Sequence, residues 1–156
     1  MTKIWIIAIA TFVIDQATKY GVVWGLDLRN VYATDVLPPI LNFRMAWNEG
    51  INFGLFSSDV EIMRWVLVAL ALVICAWVLY WGRQFTGWFA ALLIGLIVGG
   101  ALGNVIDRII HGAVIDFLNM SCCGINNPYA FNLADVWVFA GAIGLIFFAE
   151  KLPKKA

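Results

Sequence analysis

Four apolar stretches alternate with polar segments along this chain, and each is long enough to cross a membrane as a helix, which takes about 20 mainly apolar residues. The first covers about 4–24 and is interrupted by Asp15, Gln16 and Lys19. The second covers about 62–81 and is uncharged from Trp65 onward; the third, about 85–106, is uncharged throughout. The fourth, about 131–149, takes in Asp135. Between them lie two longer segments, about 25–61 and 107–130. After Pro38-Pro39 the run Ile40–Trp47 alternates apolar and polar residues, the pattern of a short strand or hairpin. The whole chain, 1–156, is expected to form one integral membrane domain.

Composition supports this. Of the 156 residues, 63% are hydrophobic and 13% charged, with a mean hydropathy of +0.88, against about 45–50% and 25% in soluble domains. That much apolar surface belongs in lipid. Net charge is zero but unevenly spread. Lys3, Arg83, Lys151, Lys154 and Lys155 sit at the chain ends or in the short turn between the second and third spans, with Glu150 as their only acidic neighbour. By the positive-inside rule these segments face the cytoplasm, so both termini are cytoplasmic and 25–61 and 107–130 are extracytoplasmic. No basic cluster suits nucleic acid.

The first span also has the outline of a cleavable signal peptide, but no small-x-small site follows its apolar run and Gly21-Val22-Val23-Trp24 extends it toward spanning length, which favours a retained helix. Three cysteines make no disulfide framework: Cys75 lies in an apolar run, and adjacent Cys122 and Cys123 are expected as free thiols. With one histidine, and cysteines at unsuitable spacing, no zinc site is expected.

Gly95, Gly99 and Gly103 recur every fourth residue in the third span, a small-residue face that lets a neighbouring helix approach closely. Ionisable residues at membrane depth are costly and mark candidate sites. Asp15 and Lys19 share a helix face and form an ion pair, a device that serves equally to hold helices together. Asn104, Asp107 and Arg108 share another face, where Asp107 and Arg108 also suit a simple interfacial pair, and His111 is expected at the interface. Asp116 sits among apolar neighbours, and Asp135 lies near the outer end of the fourth span. Two carboxyl groups in a dry site suit aspartic-protease chemistry, because one stays protonated while the other takes a proton from water. Other hydrolytic machinery is missing: there is no H-E-x-x-H, no G-x-S-x-G, and Ser57, Ser58 and Ser121 have no evident base. A phosphate-binding G-x-x-x-x-G-K-[ST] loop is missing too.

Five blocks then occur in order: Asp15-Gln16-x-x-Lys19, Asn48-x-Gly50-x-x-Phe53, Gly99-Gly100-x-x-Gly103-Asn104-x-x-Asp107-Arg108, Gly112-x-Val114-x-Asp116-Phe117 and Phe131-Asn132-x-Ala134-Asp135. On these blocks the chain resembles signal peptidase II, the lipoprotein signal peptidase family of bacteria, over nearly its whole length. The resemblance implies an all-α membrane protein of four transmembrane helices with a small extracytoplasmic β-cradle between helices 1 and 2. It implies an aspartic endopeptidase without metal or cofactor, acting as a monomer in the inner membrane with its active site at the outer leaflet. It further implies that Asp116 and Asp135 are the catalytic pair and that Asn48, Gly50, Arg108 and Asn132 line the substrate site. Asp15, Lys19, Asn104 and Asp107 would support it. The implied substrates are diacylglyceryl-modified prolipoproteins, cut before the lipidated cysteine. Asn52 departs from the small residue usual there. Two other readings compete: an ion- or proton-coupled transporter, which also carries intramembrane charges, and a structural membrane subunit, which would leave Asp116 and Asp135 without a purpose.

Overall fold

The computed structural model describes residues 1–50 and 60–155. Phe53, Asn52, Ser57 and Ser58, all weighed above, lie outside the described residues.

Long apolar runs fold as helices because a backbone in lipid must satisfy its own hydrogen bonds. Helix α1 spans Thr2–Tyr20 and continues through a π-helical turn, Gly21–Gly25. A short helix α2, Leu28–Val31, precedes strands β1, Ala33–Leu37, and β2, Leu41–Asn48. Then come α3, Val60–Gly82, and α4, Trp88–His111. Strand β3, Val114–Asn119, leads to α5, Leu133–Phe148, which ends in a 3-10 turn, Ala149–Lys151. Four helical segments are long and apolar enough to cross a membrane.

Helix α4 packs against α1, α3 and α5, so it forms the centre of the bundle. The glycine stripe explains its fit to α1. A Cβ on Gly95 would fall 2.7 Å from Ile7, one on Gly99 would strike the Ala8 backbone, and one on Gly103 would fall 2.5 Å from Asp15 Oδ2. Gly100 serves α5 in the same way, facing the Ala134 carbonyl. Residues such as Val73, Trp77, Phe139 and Ile146 point outward from α3 and α5, as lipid-facing residues do.

The sheet is antiparallel in the order β1-β2-β3. The expected cradle between the first two spans is therefore completed by a strand from the segment between the last two, which the apolar Ala113–Leu118 run conceals as mere hydrophobicity. Helix α4 also begins at Trp88 and runs past the expected end at 106, stopping at Gly112 in the left-handed region (φ +83°). Asp107 and Arg108 thus belong to the helix and not to the segment beyond it.

Candidate active site

Three backbone devices bring the polar residues together. Phe117 and Leu118 both donate their N–H groups to the Phe131 carbonyl (3.0 and 2.8 Å), and Phe131 donates back to Leu118 (2.9 Å). This tie sets β3 beside the start of α5, and with it Asp116 beside Asn132. Second, Asn132 caps α5: its side chain accepts the Asp135 N–H (3.0 Å) while Asp135 Oδ2 accepts the Asn132 N–H (3.3 Å). The reciprocal pair is a capping box, and it places Asp135 at the positive end of the α5 dipole. Third, the Ile115 N–H donates to Asp107 Oδ2 (3.2 Å), fixing β3 to α4.

Asn132 then joins the two candidate carboxyl groups. Its Nδ2 donates to Asp116 Oδ1 (2.6 Å), while its backbone N–H serves Asp135. Asp116 Oδ2 receives Asn48 Nδ2 (2.9 Å) from the end of β2. Gly50, at φ +110°, donates its N–H to Asn48 Oδ1 (3.0 Å), which turns the amide nitrogen of Asn48 toward Asp116. Asp135 Oδ1 receives Asn104 Nδ2 (2.8 Å) from α4.

Asp116 is 2% exposed. Burial pushes its carboxyl from the ordinary 3.8 up to about 6; the Asn48 hydrogen bond pulls the other way, and the nearby Asp135 charge adds to the rise. Asp135 is only half-buried.

Beneath this pair lies a buried ion cluster. Lys19 Nζ reaches Asp15 Oδ2 (2.8 Å), Asp107 Oδ2 (2.7 Å) and Asn104 Oδ1 (3.1 Å), and Lys19, Asp15 and Asp107 are each at most 1% exposed. Asp15 Oδ1 also accepts the Ala134 N–H (2.9 Å), so the cluster is bonded to the first turn of α5. Lys19 fixes the orientation of Asn104. Because Asn104 Oδ1 accepts from Lys19 and from Asn132 Nδ2 (3.2 Å), its Nδ2 is the end left for Asp135.

The expected Asp15–Lys19 pair is present, but the Asp107–Arg108 pair is not. Asp107 faces Lys19 instead, while Arg108 Nη1 makes a long contact to the Asn104 carbonyl (3.5 Å) and its Nε has no hydrogen-bond partner among the described residues. The guanidinium still lies within electrostatic reach of Asp135 and Asp116. His111 sits between the rings of Trp24 and Trp47, both 5.8 Å away. Gln16, within the first motif block, donates its Nε2 to Asp107 Oδ1 (2.9 Å) and so joins the cluster. The sequence signal for it is a polar side chain beside Asp15 at membrane depth, which needs partners. Cys122 and Cys123 are free and exposed. Among the described residues no group of three or more His, Cys, Asp or Glu is placed to hold a metal ion.

A family model described as signal peptidase (SPase) II matches residues 7–150. A lipoprotein signal peptidase of Methylobacterium radiotolerans is 44% identical over 138 residues, covering 88% of this chain and 80% of that protein. One from Methylorubrum extorquens is 41% identical over the same shares, and one from Alteromonas mediterranea is 37% identical over 92% of this chain and 77% of that protein. Two solved structures, each described as a bacterial membrane enzyme structure by the in meso method, share the fold at 28% identity. One has a TM-score of 0.78 over 95% of this chain and 92% of the other; the second has 0.73 over 96% and 88%.

Proposed function

The chain belongs to the signal peptidase II family, and on that premise we propose that Asp116 and Asp135 are the carboxyl groups with which it removes signal peptides from prolipoproteins. The observation that carries the assignment is the Asn132 bridge, which bonds one amide residue to both carboxyl groups. Asp116, raised to about 6, holds the shared proton and donates it to the scissile carbonyl oxygen. Asp135, at the α5 N-terminus and closer to solvent, takes a proton from the attacking water. The water oxygen bonds to the carbonyl carbon, and the tetrahedral intermediate collapses as the amide nitrogen leaves with a proton from the dyad.

Asn48 and Asn132 steady Asp116, Asn104 steadies Asp135, and Gly50 orients Asn48. Arg108, with an idle Nε, is suited to bind a backbone carbonyl of an extended substrate. Asp15, Lys19 and Asp107 are positioning residues that act through Asn104, Ala134 and Ile115. The clustering of basic residues on the short turn and both chain ends supports cytoplasmic termini, with the carboxyl pair at the outer leaflet of the bacterial inner membrane. The working unit in this reading is a monomer. Surrounding lipid and a diacylglyceryl anchor on the substrate together bring the scissile bond to that level. The comparisons give the transporter reading no support, and the charges gather at one end of the bundle, not at its middle.

The test is a gel-shift cleavage assay with purified protein in detergent, given a diacylglyceryl-modified prolipoprotein and its unlipidated form. Cleavage of the lipidated form alone is expected, with kcat/KM falling as pH rises through about 6 and Arg108→Ala raising KM more than it lowers kcat. Equal cleavage of both forms, or kcat/KM rising through that pH, would overturn the reading.

A further inference from the structure

At the end of the bundle opposite the carboxyl pair, a cavity of about 300 Å3 opens between the start of α1, the α3–α4 turn and the C-terminal tail. Its lining includes Ile4, Ala90, Ala91 and Ile94, all buried and apolar, and the exposed Lys3 and Lys155. The tail is held across the turn: the Thr86 N–H donates to the Pro153 carbonyl (2.7 Å) and the Lys155 N–H to the Gln84 carbonyl (2.8 Å). Lys3 Nζ stands 4.8 Å from the centre of the Trp88 ring, an amphipathic side chain suited to headgroup depth. Among the described residues no carboxylate lines the cavity and neither lysine is ion-paired.

We propose that this cavity binds the headgroup of an anionic phospholipid, with the phosphate between Lys3 and Lys155 and the start of an acyl chain against the apolar lining. Unpaired positive charge would by itself do no more than attract an anionic surface diffusely. What distinguishes this site is concavity, two lysine ammonium groups carried on separate segments, and buried apolar residues in its wall. Basic pockets between transmembrane helices bind acidic headgroups in this manner. The proposal is independent of the catalytic assignment, since no group in it belongs to the cleavage site.

The experiment is native mass spectrometry of the detergent-solubilised protein titrated with dioleoylphosphatidylglycerol, dioleoylphosphatidylcholine or inorganic phosphate. Wild type is compared with Lys3→Gln/Lys155→Gln and with Lys151→Gln/Lys154→Gln, which removes the same charge from residues that do not line the cavity. At about 1 kcal/mol per lysine the first double variant loses roughly 30-fold in phosphatidylglycerol affinity. The second is expected to change it less than about threefold. Equal losses in the two variants would mean diffuse attraction and overturn the site. Equal affinity for phosphatidylcholine would overturn the choice of an anionic headgroup, and binding of inorganic phosphate as tight as that of the lipid would overturn a lipid as the occupant.

Discussion

The two ends of helix α4 use the same close approach to α1 for opposite purposes. Toward its start, Gly95 lets Ile7 pack against the helix backbone among Ile4, Ala8, Ile94 and Val98, while the basic residues Lys3 and Lys155 stay exposed. Toward its end, Gly103 admits the Asp15 carboxylate, and three charged side chains are buried almost completely. Exposed charges at the first end keep their hydration and cost little. Buried charges at the second are expensive to desolvate and add little net stability even when well paired, so their use lies in order. Each holds a different piece of the site: Asp15 holds α5, Asp107 holds β3, and Lys19 holds Asn104.

The comparison breaks most severely at Lys19. Lys19→Met leaves Asp15 and Asp107 buried without a counter-charge and is expected to cost about 3–5 kcal/mol. Lys155→Met, at the exposed end, should change stability by less than about 0.5 kcal/mol. Thermal unfolding in detergent checks both, and a similar small effect of the two would contradict the distinction.

Asp116 sharpens the contrast through pH. Its carboxyl binds a proton more tightly in the folded protein (about 6) than in the unfolded chain (3.8). The folded state therefore gains from low pH, and the gain is lost as pH rises from 3.8 through about 6. The span corresponds to at most about 3 kcal/mol. Asp116→Asn cannot ionise, so its stability relative to wild type should rise over that window and level off above it. Parallel pH curves of thermal stability would contradict burial as the cause.

The glycines give a third, smaller contrast. Gly99→Ala presses a methyl group against the Ala8 backbone and lies 2.8 Å from Thr11 Cβ, with an expected loss of about 1–3 kcal/mol. Gly21→Ala meets nothing within 4 Å and should stay within about 0.5 kcal/mol of wild type. Smallest of all is the exposed Arg44–Asp35 pair on β1 and β2, where Arg44→Ala should lose under about 1 kcal/mol, less in high salt.

Much of this was legible in the chain. Length and hydropathy mark the four spans, the i,i+4 spacing marks Asp15–Lys19, and the glycine period marks a close helix contact without saying that its partner is α1. The alternating Ile40–Trp47 run marks β2. Strand β3 was not legible as a strand, because a buried apolar run carries no alternation and its pairing partner lies far away in sequence. Asp107 could be seen as costly, but spacing suggested its neighbour Arg108 as partner. The true partner, Lys19, comes from another helix. Asn132-x-x-Asp135 has the spacing of a capping box, a local signal that would have fixed the start of α5. What spacing could not supply was the meeting of Asp116 with Asn132, which depends on the β3–α5 backbone tie.

The most direct measurement of the central claim is the single-turnover cleavage rate of a lipidated prolipoprotein by Asp116→Asn and by Asp135→Asn, each first shown by thermal unfolding to be folded. General acid–base catalysis contributes about 10²–10⁴-fold, so each variant is expected to lose at least 100-fold in rate. A folded variant at either position that still cleaves within tenfold of wild type would contradict the two-carboxyl mechanism.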